Sequence, residues 1–270
     1  MPVIIIGERL NATKKQVGEA IRGRDADFVQ QEAQAQAAAG ANYLDCNAGR
    51  DPATEKDDMV WLIQTVREVC DLPLAIDSAN PEVQAAGLAV YQGPPPILNS
   101  ATAESGKMEA VLDLAQEHDA AVIALALGDA GMPKAEGDRE ANIQAIIDAA
   151  AERGIPPDRI FADPVVEAVS TGLDRPLGPL MLKAIANIRK ANPEVHITAG
   201  VSNVSYGLPE RRLLNRMLLA LAMGAGLDTA IIDPCDPHMM ATIYAVEALL
   251  GLDEGCMNYV QASREGKLEV

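Results

Sequence analysis

Hydrophobic positions along the chain gather into eight short runs, and most of these runs end in polar residues. Val3–Ile6 leads into Gly7, Glu8, Arg9, Leu10 and Asn11. Tyr43-Leu44 leads into Asp45-Cys46-Asn47-Ala48-Gly49, Leu74-Ala75-Ile76 into Asp77-Ser78-Ala79-Asn80, and Ile97-Leu98 into Asn99-Ser100-Ala101-Thr102. Ala121–Leu127 ends at Gly128-Asp129, and Ile160-Phe161-Ala162 at Asp163-Pro164. Ile197–Val201 gives way to Ser202-Asn203, and Ala230-Ile231-Ile232 to Asp233-Pro234. Between the runs the spacing turns helical. Met108, Val111, Leu112 and Ala115 fall at i, i+3, i+4 and i+7, and Leu214, Met217, Leu218 and Leu221 repeat that spacing, so each set predicts a buried helix face. Val29, Ala33 and Ala37 follow Asp27 at four-residue steps and stop at Gly40; Gly154, Gly224 and Gly251 are placed as similar stops.

Short strands without polar alternation, separated by helices, imply a parallel sheet covered on both faces. Eight such units in 270 residues fit an α/β fold of the (β/α)8 TIM-barrel type as a single domain over residues 1–270. No G-x-G-x-x-G loop follows the first strand, which counts against a dinucleotide-binding sheet. No linker or composition shift divides the chain. The tail, residues 252–270, carries mixed charge and either packs across a barrel end or extends to a partner.

Composition narrows the function. Aromatic residues make up only 3% of a chain that is 49% hydrophobic, so the core is aliphatic and alanine-rich. A net charge of −17 argues against nucleic acid and anionic membranes as partners, while leaving room for a small anionic ligand held by local arginines. Cys46, Cys70, Cys235 and Cys256 are widely spaced and read as reduced intracellular thiols. The N-terminus meets a charge too early for a signal peptide, and no apolar run approaches the ~20 residues of a membrane helix. A cytoplasmic protein is expected.

In a barrel the polar residues that end the strands share one face. That face would hold Glu8, Arg9, Asn11, Asp45, Asn47, Asp77, Ser78, Asn99, Ser100, Asp163, Ser202, Asn203 and Asp233. Any one of them can be a helix cap or a turn residue. So many strands ending alike is harder to explain by caps. A rim of amides and carboxylates suits a flat heterocycle with alternating donors and acceptors. Cys46, Cys235 and His238 lie near strand ends, yet no H-x-x-x-H or close cysteine pair accompanies them, and no metal site is expected. His118 reads as a solvated helix residue and His196, opening the seventh strand, as structural at the opposite barrel end. No G-x-S-x-G elbow is present.

Ile6-Gly7-Glu8-Arg9-Leu10-Asn11, Leu44-Asp45-Cys46-Asn47, Ile76-Asp77-Ser78, Leu98-Asn99-Ser100, Ala162-Asp163-Pro164 and Gly200-Val201-Ser202-Asn203-Val204-Ser205 occur in this order, with Asn215-Arg216 downstream. Together, over Ile4 to about Leu250, they resemble the pterin-binding methyltransferases, specifically the methyltetrahydrofolate:corrinoid-protein group that includes the folate domain of cobalamin-dependent methionine synthase. The resemblance implies a (β/α)8 barrel that holds the pterin in its C-terminal mouth. It implies that Asp77, Asn99 and Asp163 hydrogen-bond the pterin ring and that Asn203 contacts N5 as the catalytic residue. Arg211 occupies the family's arginine position after the seventh strand and, with Ser202, is expected to help hold the folate. Glu8, Asp45, Asn47, Ser100 and Asp233 complete the expected rim.

The implied reaction moves a methyl group between N5 of tetrahydrofolate and the cobalt of a cobalamin carried by a separate, transiently docked corrinoid protein. No corrinoid-binding D-x-H-x-x-G segment occurs in this chain. Tyr206 stands where the iron-sulfur corrinoid branch carries Gln, so no catalytic contact is carried onto it. Family members are commonly homodimers. Two alternatives stay open: a dihydropteroate synthase-like enzyme, for which Asp233-Pro234-Cys235-Asp236 is acidic where phosphate needs positive charge, and a folate-binding protein without turnover. The partner, the dominant direction and the upstream methyl donor stay open at the level of sequence.

Overall fold

Each apolar run becomes a strand: β1 (Ile4–Asn11), β2 (Tyr43–Asn47), β3 (Leu74–Asp77), β4 (Ile97–Ala103), β5 (Ala121–Gly128), β6 (Ile160–Asp163), β7 (His196–Ile197) and β8 (Thr229–Ile232). The computed structural model describes residues 2–172 and 175–268. All strand pairs are parallel, in the order β7-β6-β5-β4-β3-β2-β1-β8. A lone bridge between Gly200 and Ile231, with Ile231 N donating to Ala199 O at 3.0 Å, closes the sheet into a barrel.

The helices fill the gaps on the outside: α1 (Lys15–Gly23), α2 (Ala26–Ala38), α3 (Glu55–Arg67), α4 (Pro81–Val90), α5 (Lys107–Glu117), α6 (Asp138–Glu152), α7 (Leu177–Ala191), α8 (Arg211–Ala225), α9 (Pro237–Leu249) and α10 (Met257–Arg264). Their starts follow local chemistry. Asp25, Asn80 and Asp236 accept first-turn backbone N–H groups, and proline opens α4 and α9. The face set by Val111, Leu112 and Ala115 is buried as the spacing predicts.

Two apolar layers result. The larger joins the outward faces of the strands to the helices. The smaller is a plug inside the barrel, built from Ile6, Ala75, Ile97, Ile123 and Phe161 with Ile4, Tyr43, Ala121 and Ile231 against it. Strand side chains alternate between faces, so the residue two places beyond each plug residue points the same way, one layer higher. Those residues are Glu8, Asp45, Asp77, Asn99, Leu125, Asp163 and Asp233. The register places Asp77 beside Asn99 and Asn47 beside Asp77. A polar shelf therefore sits on an apolar floor. Below the plug, the His196 ring stacks on Phe161 at 4.7 Å and meets Asp228 at 3.2 Å, a structural role at the end away from the shelf.

Three expectations are corrected. The seventh strand, expected to run over Ile197–Val201, is His196–Ile197 alone, and a 3-10 helix, Val201–Ser205, begins at the last residue of the expected run. Gly224 lies inside α8; the stop is Gly226, whose φ of 116° suits a residue without Cβ. The buried face of α8 is Asn215, Leu218, Leu219, Ala222 and Met223, while Met217 and Leu221 are 48% and 59% exposed. A helix apolar on more than one face offers two registers, and burial of Asn215 beside the mouth selects this one. The tail forms α10, which packs on α9 along the barrel side and is capped by Asp253; residues 269–270 lie outside the described residues.

The α8 register has a direct test. Leu218→Ala should cost about 2–4 kcal/mol in urea unfolding, and Leu221→Ala less than about 1 kcal/mol. Equal losses would restore the register read from spacing.

Candidate functional site

The shelf is densest across β2, β3 and β4. Asn99 Nδ2 donates to Asp45 Oδ1 at 3.0 Å, and Asn47 Nδ2 donates to Asp77 Oδ2 at 2.9 Å. Asp45 and Asp77 also lie close enough to interact electrostatically. Burial pushes the Asp45 carboxyl well above the usual carboxylate range, and the Asp77 charge adds to it. Burial likewise raises Asp77, to about 6, against the hydrogen bonds that Asn47 and Asp45 give it. Two carboxyls this close in a dry site disfavour a second negative charge, which adds to the rise at Asp45. Ser100 follows Asn99 across a cis peptide at a bulge in β4 and is half-buried. Ser78 turns away: its hydroxyl donates to Glu55 Oε1 at 2.6 Å and caps Asn80 N, so it supports the loop behind the shelf.

On the β1 and β8 side, Ser202 Oγ donates to Glu8 Oε1 at 2.8 Å. Burial raises the Glu8 carboxyl, partly offset by Lys14 and by the Ser202 bond. Arg9 forks onto Glu32 and reaches Asp233 Oδ2 at 3.1 Å, while Asp233 Oδ1 accepts from Cys235 N at 2.9 Å. Asp233 thus serves the ion pair and the turn. Asn11 likewise caps Thr13 N at 3.0 Å.

Asp163 stands opposite, 6% exposed, and accepts backbone N–H groups from Val165 (2.8 Å) and Gly200. Burial nevertheless raises it to about 6. Val165 is held at φ 63°, a conformation costly for a β-branched residue. A buried ion cluster restrains the loop that carries it: Arg139 donates to Pro164 O (2.7 Å) and Glu167 (2.6 Å), and Arg175 joins Glu167 at 2.9 Å.

The wall after β7 differs from the shelf. Asn203 is exposed, and its amide, unlike those of Asn47 and Asn99, makes no side-chain hydrogen bond to the described residues. A Cβ on Gly200 would lie 3.3 Å from Asn203 Nδ2, so glycine leaves the amide room. Arg211 faces the loop itself: Nε donates to Ser205 Oγ at 3.0 Å and Nη2 to Ser202 O at 2.8 Å. Both Arg211 bonds thus go to the loop that carries Asn203.

The structure therefore brings Asp45, Asn47, Asp77 and Asn99 into one network. It sets Asp163, Ser202, Glu8 and Asn203 around the same mouth and leaves Asp233 in an ion pair. Sequence reading missed Arg139, Glu167, Glu55 and the Ser205–Asn215 contact, because each supports the site from a helix or distant loop. The period-two step from plug residue to polar residue was a usable signal. Among the described residues no group of three or more His, Cys, Asp or Glu is placed to hold a metal ion, and Cys46, Cys235 and His238 are not gathered.

A family model described as pterin binding enzyme matches residues 7–233. The chain is 38% identical over 269 residues to the methylcorrinoid:tetrahydrofolate methyltransferase of Eubacterium limosum, covering 98% of each. It is 32% identical over 241 residues to the methionine synthase of Mycobacterium leprae, covering 85% of this chain and 20% of that protein. Among solved structures, the dihydropteroate synthase of Thermus thermophilus has a TM-score of 0.67 at 19% identity, covering 92% of this chain and 94% of that one. The Yersinia pestis dihydropteroate synthase has the same score at 16% identity, covering 93% of both. At such identities these structures share the fold alone.

The raised acids carry a sign that can be checked. A carboxyl at about 6 when folded and at its usual 3.8 when unfolded binds its proton more tightly in the folded state. That contribution is fully present below the unfolded value and lost as pH rises through the folded one. Asp163→Asn removes the titration. Its stability relative to the parent should rise by on the order of 3 kcal/mol between pH 4 and pH 7, read by urea unfolding. A flat difference would mean that Asp163 is not raised.

Proposed function

Because this chain belongs to the pterin-binding enzyme family, we propose that it is a methyltransferase working between N5 of tetrahydrofolate and the cobalt of a cobalamin on a separate corrinoid protein. The observation that carries this reading is the shelf of paired acids and amides beside an unpartnered Asn203, in a chain matched end to end by a methylcorrinoid:tetrahydrofolate methyltransferase. A pterin edge offers N–H donors to Asp77 and Asp163 and a mixed set to Asn99, which can donate and accept. The apolar plug beneath blocks water from below and gives the ring a floor.

In the direction that loads the folate, the N5 lone pair attacks the methyl carbon while the electrons of the cobalt–carbon bond stay on cobalt, taking Co(III) to Co(I). The N5 proton departs to solvent. In reverse, N5 leaves poorly unless it gains positive character, and Asn203 Nδ2 donating to N5 stabilises that development selectively. Asn203 is the catalytic residue of this reading. Asp77, Asn99, Asp163 and Ser202 bind the pterin, with Glu8, Asp45, Asn47 and Ser100 supporting them. The corrinoid protein docks transiently over the open mouth, where Asn203 is accessible. The enzyme acts as a homodimer in the cytoplasm. Among the described residues no helix is long and apolar enough to cross a membrane. A dihydropteroate synthase-like reaction fits less well, since Asp233 at the end of β8 is engaged by Arg9 and adds negative charge where a pyrophosphate would leave.

Rapid mixing of the protein with 5-methyltetrahydrofolate and a Co(I) corrinoid, watched by absorbance, should show methyl-cobalt formation. Tight folate binding without any transfer would favour a binding protein. Asn203→Ala should lower the transfer rate by about a hundredfold while folate affinity changes less than about threefold. Equal losses would remove Asn203 from the chemical step. Since Asp77 and Asp163 accept pterin N–H groups more strongly, and through both oxygens, when ionised, folate affinity should fall as pH drops below about 6. Titration by calorimetry across pH 5–8 would show it.

A further inference from the structure

Arg211, Ser205 and Asn215 make a hydrogen-bonded chain that runs from the mouth into the core. Arg211 Nε donates to Ser205 Oγ at 3.0 Å, and Ser205 Oγ donates its own hydrogen to Asn215 Oδ1 at 2.7 Å. Ser205 is fully buried and Asn215 nearly so, on the core face of α8. A second arm of the guanidinium holds Ser202 O at 2.8 Å, and the Arg211 head lies 6.0 Å from the Tyr206 ring. These contacts bracket Asn203 from both sides.

The segment they hold is poorly held by itself. Val201–Ser205 is a single stretch of 3-10 helix, a form with weak hydrogen-bond geometry. At its two ends, Asn203 N meets Gly200 O at 3.3 Å and Tyr206 N meets Asn203 O at 3.1 Å. Glu210, immediately before α8, sits at φ 50°, an unusual conformation for a glutamate. With that turn, the first residue of α8 points back at Ser202 and Ser205.

We infer that Arg211 and Asn215, acting through Ser205, are positioning residues that fix Asn203, and that Arg211 is a brace for this loop and no folate ligand. The inference rests on the methyl-transfer reading for its kinetic consequence only. A catalytic amide that must meet N5 gains from being placed before the substrate arrives, because misplacement of about 1 Å costs on the order of a hundredfold in rate. The acceptor on Asn215 matters, because without it the buried Ser205 hydroxyl hydrogen is left with only the long 3.4 Å contact to Ser202 O, and the tie between the loop and α8 is lost.

The test uses Asn215→Leu, which removes the acceptor at similar size, and Asn215→Asp, which keeps it. Ser205→Ala is the smaller change should Asn215→Leu fold poorly. Hydrogen exchange of the amides of residues 202–207 should speed up by about tenfold in Asn215→Leu and Ser205→Ala and stay near the parent in Asn215→Asp. With tetrahydrofolate and methylcobalamin as substrates, the first two should lose about tenfold in kcat with KM for tetrahydrofolate within about threefold. Arg211→Ala should show the same split. Unchanged exchange overturns the brace whatever the activity, and a tenfold rise in KM with kcat intact in Arg211→Ala makes Arg211 a folate ligand after all. If exchange responds as expected but the parent transfers no methyl group, the brace stands and the methyl-transfer reading falls.

Discussion

Carboxyl groups held above hydrocarbon dominate this molecule. Ile6, Ala75, Ile97, Ile123 and Phe161 fill the barrel, and the next layer up places Glu8, Asp45, Asp77 and Asp163 where water can reach them only from one side. An isolated buried carboxylate is costly enough that it takes up a proton or finds a donor. Both tendencies show here. Burial and the Asp77 charge push Asp45 up, while Asn47 and Asn99 supply amide N–H groups. Ser202 covers Glu8, and two backbone N–H groups face Asp163. Much of the surrounding architecture serves these pairings. Asn47 reaches Asp77 because β2 and β3 are in register there, and Ser78 is free to cap because Glu55 comes down from α3.

The same constraint explains why strain collects where it does. Val165 takes a left-handed conformation next to Asp163, and Arg139, Glu167 and Arg175 form a nearly dry cluster that keeps the loop there. Such conformations persist when their surroundings over-determine them. The shelf's donors and acceptors are thus held in place by the protein itself, and the raised acids give up stability at neutral pH for it.

Much of the fold and half of the site could be read from residues in order. Apolar runs that ended in polar residues became strands that ended at the mouth, because a parallel sheet covered on both faces has no other use for polar positions. Asp45, Asp77, Asn99 and Asp163 were legible for the same reason. Leu214, Met217, Leu218 and Leu221 misled, since α8 has apolar residues around most of its circumference and spacing alone does not choose the inner face. Ile197–Val201 misled too: β-branched residues suggested strand, while Gly200 and the polar residues after it allowed a 3-10 turn. The contacts of Arg211 and Asn215 with Ser205 depend on how α8 meets the loop, which no local pattern encodes.

β7 pairs with β6 over two residues, and beyond Ile197 the seam with β8 is bridged mainly through Ala199 and Gly200. The barrel is therefore held by its own ladder on the β2–β4 side, while the Asn203 side is tied through side chains, with Ser205 between Arg211 and Asn215. The acids and amides thus stand on well-laddered staves, while Asn203 stands beside the weakest joint in the hoop, where a few side-chain bonds replace the missing rungs.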